Sequence, residues 1–283
     1  MHRDFRDKFY NDGFVVIEDF LTETEINKLK EEADNLIKNM PEQSSRAVFS
    51  TTTFDQNKNQ YFADSADKVS YFFETGALGP EGELLVDPNL SLNKIGHALH
   101  VLNEDFRKVT FDERVKESCF QLGYEDPVVV QSMYIFKNPG IGGIVTPHQD
   151  STFLNTEPES LVGFWIALDD ATTENGCLWF ARGSHKGGVH RRYMRNAENS
   201  SNELFVYDKP APHYQKSSFT AVPVRKGTCI LIHGRVVHFS EANKSDKPRN
   251  AYTFHVLERS SKYSEDNWLQ QTEESPFLSM YKN

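Results

Sequence analysis

Residues 127–140 read PVVVQSMYIFKNPG. Val128, Val129, Val130, Tyr134, Ile135 and Phe136 form a β-branched and aromatic run closed by Asn-Pro-Gly, which predicts a strand and the turn that ends it. The same texture recurs downstream over 142–150, 161–169, 177–181, 219–224, 228–239 and 250–258, between Gly, Pro and Asn turn signals. Short strands at even spacing imply a sandwich or barrel.

Upstream the pattern differs. FVVIEDFL (14–21) reads as a buried strand, and TETE from Thr22 to Glu25 has capping-box spacing. Ile26, Leu29, Ala33, Leu36, Ile37 and Met40 then recur at helical intervals until Pro41. Helices are expected over 5–10, 23–39 and 91–123, with loops, a hairpin and short strands over 42–90. This order predicts one domain, mainly β with flanking helices. Its core would be a double-stranded β-helix (jelly-roll, cupin-like) over about 126–260. An N-terminal layer of helix and strand would cover about 1–125, and a C-terminal tail 261–283.

Composition narrows the function. Forty-one acidic residues against 31 basic ones give a net charge of −10, which disfavours a general grip on phosphate backbones, so no nucleic-acid partner is expected. Cys119, Cys177 and Cys229 are scattered and read as reduced core thiols of a cytoplasmic protein. The start, MHRDFRDKFYNDG, has no apolar stretch, and no run approaches the ~18 apolar residues of a membrane span. The ending SMYKN is not the peroxisomal Ser-Lys-Leu address. Nothing signals self-association, so a monomer acting on a small molecule is expected.

TPHQDSTF (146–153) carries the chemistry. On a strand, His148 and Asp150 would share a face. Alone, such a pair is more often surface decoration than a metal site. A third ligand would come from TCILIHGRVVHFSEANKSDKPRNAYTFHVLE, which offers His233, His238 and His255, with Arg249 eleven residues after His238. Two histidines and one carboxylate on one side of an octahedral ion leave three positions open, which suits non-haem Fe(II). Arginine can grip the distal carboxylate of a chelating co-substrate through a two-pronged fork. His148, Asp150 and His238 are therefore assigned to iron, and Arg249 to 2-oxoglutarate. His233 and His255 read as structural, and His97 and His100 as helix-face residues. A zinc site is the competing reading, but such sites usually recruit four His or Cys ligands.

With these motifs the chain resembles the phytanoyl-CoA dioxygenase family of Fe(II)- and 2-oxoglutarate-dependent oxygenases. DGFVVIEDFL, TPHQDSTF, ENGCLWFARGSHKGG and HGRVVHFSEANKSDKPRNAYTFH carry the likeness, which runs from about Asp12 to His255. The resemblance implies that Lys94, Met133, Gln149, Trp165 and Ser240 join Arg249 around 2-oxoglutarate. It implies dioxygen as the other co-substrate and hydroxylation coupled to release of succinate and CO2. The substrate would be a fatty acyl or other anionic compound rather than phytanoyl-CoA. An iron and 2-oxoglutarate binding or sensing module is the alternative. Arg182 stands where the family usually has proline before Gly-Ser-His, which suggests a differently shaped or charged loop over the site. The outer pocket wall is expected from 42–90 and 187–220. Within 187–199, Arg191, Arg192 and Arg195 read as a solvated loop, or as a lid for an anionic substrate.

Overall fold

The computed structural model describes residues 3–197 and 202–283, so Glu198 and Asn199 of the basic stretch lie outside the described residues. The strands that build the core are β1 (Phe14–Ile17), β2 (Val69–Phe73), β3 (Leu92–His97), β4 (Pro127–Ile135), β5 (Val145–His148) and β6 (Val162–Ala167). They continue with β7 (Leu178–Phe180), β8 (Thr220–Val222), β9 (Cys229–His233), β10 (His238–Ser240) and β11 (Ala251–Glu258). The larger sheet runs β1-β9-β6-β11-β4-β3-β2, with Ala47–Val48 added in parallel beside β2. The smaller runs β8-β7-β10-β5 and is antiparallel throughout. From β4 onward the chain passes repeatedly between the two sheets, which makes the core a double-stranded β-helix.

Strand alternation separates two environments. Ala251, Thr253 and His255 of β11 sit opposite Ile135, Met133 and Gln131 of β4 and Ala167, Trp165 and Gly163 of β6. These residues face the barrel interior. Tyr252, Phe254 and Val256 face outward and join Phe164, Ile166, Phe106, Val115 and Leu29 in the largest apolar cluster, under the helices. Each such large side chain contributes about 1.5–3 kcal/mol on burial. Inside the barrel, Phe14, Trp165, Phe180, Ile230 and Ile232 form an apolar plug.

The helices covering the larger sheet include α1 (Arg3–Asp12) and α2 (Glu23–Ile37). The capping box at α2 is present: Glu25 N–H donates to Thr22 Oγ1 at 3.3 Å, and Thr22 N–H donates to Glu25 Oε2 at 2.8 Å.

Four expectations need correction. Residues 91–123 are not helical throughout. Leu92–His97 is β3, because its backbone pairs with β2 on one side and β4 on the other. Lys94 and Gly96 thus face inward with Met133 and Ile135, and Ile95 faces the outer core. His97 accordingly ends a strand and is buried, while His100, in the following helical turn, bonds through Nδ1 to Ser132 Oγ at 2.8 Å. Residues 228–239 break into β9 and β10, which lie in different sheets. Asp150 is not on a strand, since β5 ends at His148 and Asp150–Thr152 forms a 3-10 turn. Finally, the C-terminal segment folds back: Lys262–Tyr263 pairs with Thr156–Glu157, Leu278–Ser279 pairs with β4, and Trp268 is buried.

Candidate metal centre

His148 and His238 are register partners where β5 meets β10, and their ring centroids lie 4.3 Å apart. Each Nδ1 faces the carbonyl two residues earlier, Thr146 O at 2.8 Å and Val236 O at 3.1 Å. A carbonyl only accepts, so each Nδ1 carries a proton, which leaves Nε2 as the nitrogen available to ligate. The 3-10 turn then supplies the carboxylate. Ser151 N–H donates to Gly234 O at 2.9 Å, anchoring the turn to the loop before β10. Asp150 Oδ1 is thereby held 3.6 Å from His148 Nε2 and 3.7 Å from His238 Nε2.

One ligand atom from each of these three residues lies within 4.8 Å of the others, leaving space for one ion at bonds of about 2.1 Å. The donor set of two imidazoles and one carboxylate fits Fe(II), which these residues would hold beside a cavity lined by His148 and Asp150. Burial pushes the His238 imidazole down to about 4, with His148 adding to the effect. Burial alone would raise the Asp150 carboxyl, but the His238 and His255 imidazoles outweigh it and hold it well below the usual range.

The second Asp150 oxygen is also fixed. His255 Nε2 lies 3.2 Å from Asp150 Oδ2, and Gln131 Nε2 lies 3.2 Å from His255 Nδ1. With Nε2–H donating to the carboxylate, Nδ1 accepts from the Gln131 amide. Gly163 makes the room: a Cβ there would meet Asp150 Oδ2 at 3.2 Å and His255 Nε2 at 3.4 Å. The sequence reading left His255 as structural and missed Gln131 and Gly163. The available signal was parity, since Ala251, Thr253 and His255 alternate onto one face of β11.

Arg249 sits just before β11, buried to 1% exposure, with its Cζ 5.4 Å from the centre of the Trp165 ring. Among the described residues, its Nε and Nη1 have no hydrogen-bond partner. Burial lowers its pKa only to about 10, so it stays charged at neutral pH. Two buried N–H donors without an acceptor, on a guanidinium that stays charged, make this position suited to receiving an anion. Trp165 belongs to the apolar plug and lies beneath the guanidinium. Ser240 shares the His238 face of β10, and its Oγ accepts from Lys137 Nζ at 2.8 Å. Lys94, on the inner face of β3, is buried with Nζ 3.1 Å from the Phe49 ring centroid, and burial lowers its pKa to about 7. Met133 lies against Gly96, where a Cβ would come within 2.9 Å of its Cγ.

Gln149 is not brought to the cavity. Its Nε2 donates to Gly188 O at 2.8 Å and Arg235 O at 2.7 Å, while its Oε1 accepts from His190 N–H at 2.8 Å. His233 also lies apart, its ring 4.8 Å from that of His185. Arg182 pairs with Asp12 and packs over Phe14 at 5.3 Å, so it ties down α1 rather than covering the site.

A cavity of about 380 Å³ opens beside His148 and Asp150 and also reaches Lys94, Met133 and His255. Phe49, Phe54, Tyr193, Tyr207 and Trp268 supply much of its wall, drawn from the segments expected to set specificity and from the C-terminal segment.

The sequence model for Phytanoyl-CoA dioxygenase (PhyH) matches residues 9–251. The chain belongs to this family. Among curated relatives, the phytanoyl-CoA dioxygenase domain-containing protein 1 homolog of Caenorhabditis elegans is 47% identical over 288 residues, covering 99% of both chains. The Bos taurus phytanoyl-CoA dioxygenase domain-containing protein 1 is 48% identical, covering 97% of this chain and 96% of its own. Solved structures share the fold at lower identity. The alpha-ketoglutarate-dependent carbocyclase SnoK from nogalamycin biosynthesis superposes with a TM-score of 0.63 at 19% identity, covering 98% of this chain and 96% of its own. EctD from S. alaskensis, in a structure with bound Fe, gives 0.62 at 18% identity, covering 94% and 80%. The PhyH family and these neighbours are Fe/2-oxoglutarate-dependent oxygenases. No described helix of this PhyH-family chain is long and apolar enough to cross a membrane.

Proposed function

We propose that the chain is an Fe(II)- and 2-oxoglutarate-dependent oxygenase coupling oxidative decarboxylation of 2-oxoglutarate to hydroxylation of a small organic molecule. The observation that carries this reading is the pairing of two features in one barrel: the His148, Asp150 and His238 cluster, and the buried Arg249 guanidinium, whose Nε and Nη1 have no acceptor among the described residues. A further solved EctD structure contains 2-oxoglutarate and 5-hydroxyectoine, so this fold can hold the co-substrate together with a small organic molecule.

His148, Asp150 and His238 would hold the iron, which when bound supplies dioxygen activation. Every other contribution comes from the chain. The Nδ1 bonds to Thr146 O and Val236 O fix both imidazoles in the tautomer that ligates. Arg249 would receive the distal carboxylate of 2-oxoglutarate, with Ser240 and Trp165 shaping its seat and Lys94 and Met133 on the cavity side.

The test is succinate formation from 2-oxoglutarate with added Fe(II), in air and without oxygen, for the wild type, Asp150→Ala and Arg249→Ala. Oxygen-dependent succinate that both substitutions abolish is the expected result. Tight 2-oxoglutarate binding without succinate, even across a substrate screen, would favour a sensing module. No 2-oxoglutarate binding would overturn the assignment.

A further inference from the structure

Three arginines lie close together after the Gly-Ser-His-Lys turn, and their surroundings differ. Arg192 donates from Nη2 to Ser264 Oγ at 3.0 Å and Asn267 Oδ1 at 3.2 Å. Arg195 donates from Nη2 to Trp268 O at 2.7 Å. These two fasten the segment to the folded-back C-terminal region. Arg191 has neither a salt-bridge carboxylate nor a side-chain hydrogen bond among the described residues. It lines the cavity instead, its Cζ 3.8 Å from the centre of the Tyr207 ring.

The position of Arg191 is set from both sides. On one, His190 N–H donates to Gln149 Oε1 at 2.8 Å, and His190 Nδ1 bonds the Tyr214 hydroxyl at 2.7 Å. On the other, Arg192 N–H donates to Asp208 Oδ1 at 2.7 Å. Gln149 stands between the ligands His148 and Asp150, so the segment presenting Arg191 is tied to the turn that presents the metal ligands. A cation stacked on an aromatic face and tethered to the candidate metal ligands, in a chain of net charge −10, is suited to capturing an anion.

We infer that the cavity takes a compact organic acid, with its carboxylate on Arg191 and its apolar body against the aromatic wall, so that Arg191 sets which carbon faces the metal. This rests on the oxygenase reading for its consequence, but its test does not need turnover. The geometry makes Arg191 a substrate-recognition residue separate from Arg249, which faces the apolar plug rather than Tyr207.

Full-length protein saturated with Mn(II) and 2-oxoglutarate is titrated calorimetrically with decanoic acid, 4-phenylbutyric acid and the methyl ester of each. At least one acid is expected to bind tenfold or more tightly than its ester. Arg191→Gln should erase that preference, Arg191→Lys should restore part of it, and 2-oxoglutarate affinity measured on both variants serves as the check on folding. Equal binding of acids and esters by the wild type overturns the inference. So does a preference that survives Arg191→Gln, or failure of every acid to bind below millimolar concentration. Loss of succinate formation in the separate turnover assay would overturn the oxygenase reading and leave this binding result standing.

Discussion

His255 holds one oxygen of the Asp150 carboxylate at 3.2 Å, while the other oxygen faces His148 and His238. The carboxylate therefore offers a single oxygen in a fixed direction. Partners of this kind typically contribute about 10- to 100-fold in metal affinity or activity. His255→Ala is expected to weaken Co(II) binding by roughly that factor, followed by visible absorption. His255→Gln, which keeps a donor, should recover part of the loss. Unchanged Co(II) affinity in His255→Ala would rule out this role.

Gly163→Ala separates the same effect from folding. Alanine suits a strand interior better than glycine, so stability should hold or rise slightly. The new Cβ would press on the Asp150 and His255 side chains at 3.2 and 3.4 Å. The expected outcome is an unchanged or higher Tm with metal affinity lowered by about tenfold. A variant that binds metal like the wild type would show that the pair tolerates displacement.

Arg249→Met removes a buried cation with two donor atoms that lack an acceptor among the described residues. Without 2-oxoglutarate the variant should unfold at an equal or higher temperature than the wild type. With 2-oxoglutarate at 100 times its Kd, the wild type should gain about 2.7 kcal/mol and the variant nothing. Thermal shifts of equal size in both proteins would remove Arg249 from the co-substrate site.

Lys94 gives a pH dependence. Burial lowers its pKa from 10.5 to about 7 in the folded chain. Between those values the unfolded chain holds a proton that the folded chain does not. Its contribution to stability therefore rises with pH across this window and is constant below it. An anion beside Lys94 favours the protonated form, so 2-oxoglutarate affinity should fall as pH climbs above about 7. Lys94→Met should flatten both trends in calorimetry from pH 6 to 9. A wild-type affinity independent of pH would argue that 2-oxoglutarate does not meet Lys94.

The parts of this molecule legible in the sequence are those with local signatures. Short β-branched runs with turn signals marked the jelly-roll strands, the capping box marked α2, and the H-x-D spacing with a later His pointed to the three residues the structure gathers as a candidate centre. What was not legible depends on distant partners. LNKIGH (92–97) has no β-branched run, and its apolar spacing suits a helix as well as a strand, so only pairing with β2 and β4 decides it. Asp150 reaches the metal position through a turn anchored on Gly234 O rather than through strand alternation. Gln149 lies between two ligands in sequence, yet its amide is spent on the Gly188, His190 and Arg235 backbones. Trp268 reaches the cavity only because the C-terminal segment returns across the barrel.

The grip of Gln149 is on main-chain atoms alone. Gly188 is held to glycine by its φ of +79°, but the side chains of Val189 and His190 take no part in those three bonds. Side chains beyond Gly188 can thus vary while the main-chain tether to the candidate metal ligands is kept. The amide works as a ruler: it fixes how far from His148 and Asp150 a new side chain on this stretch would stand, and leaves open which side chain that is.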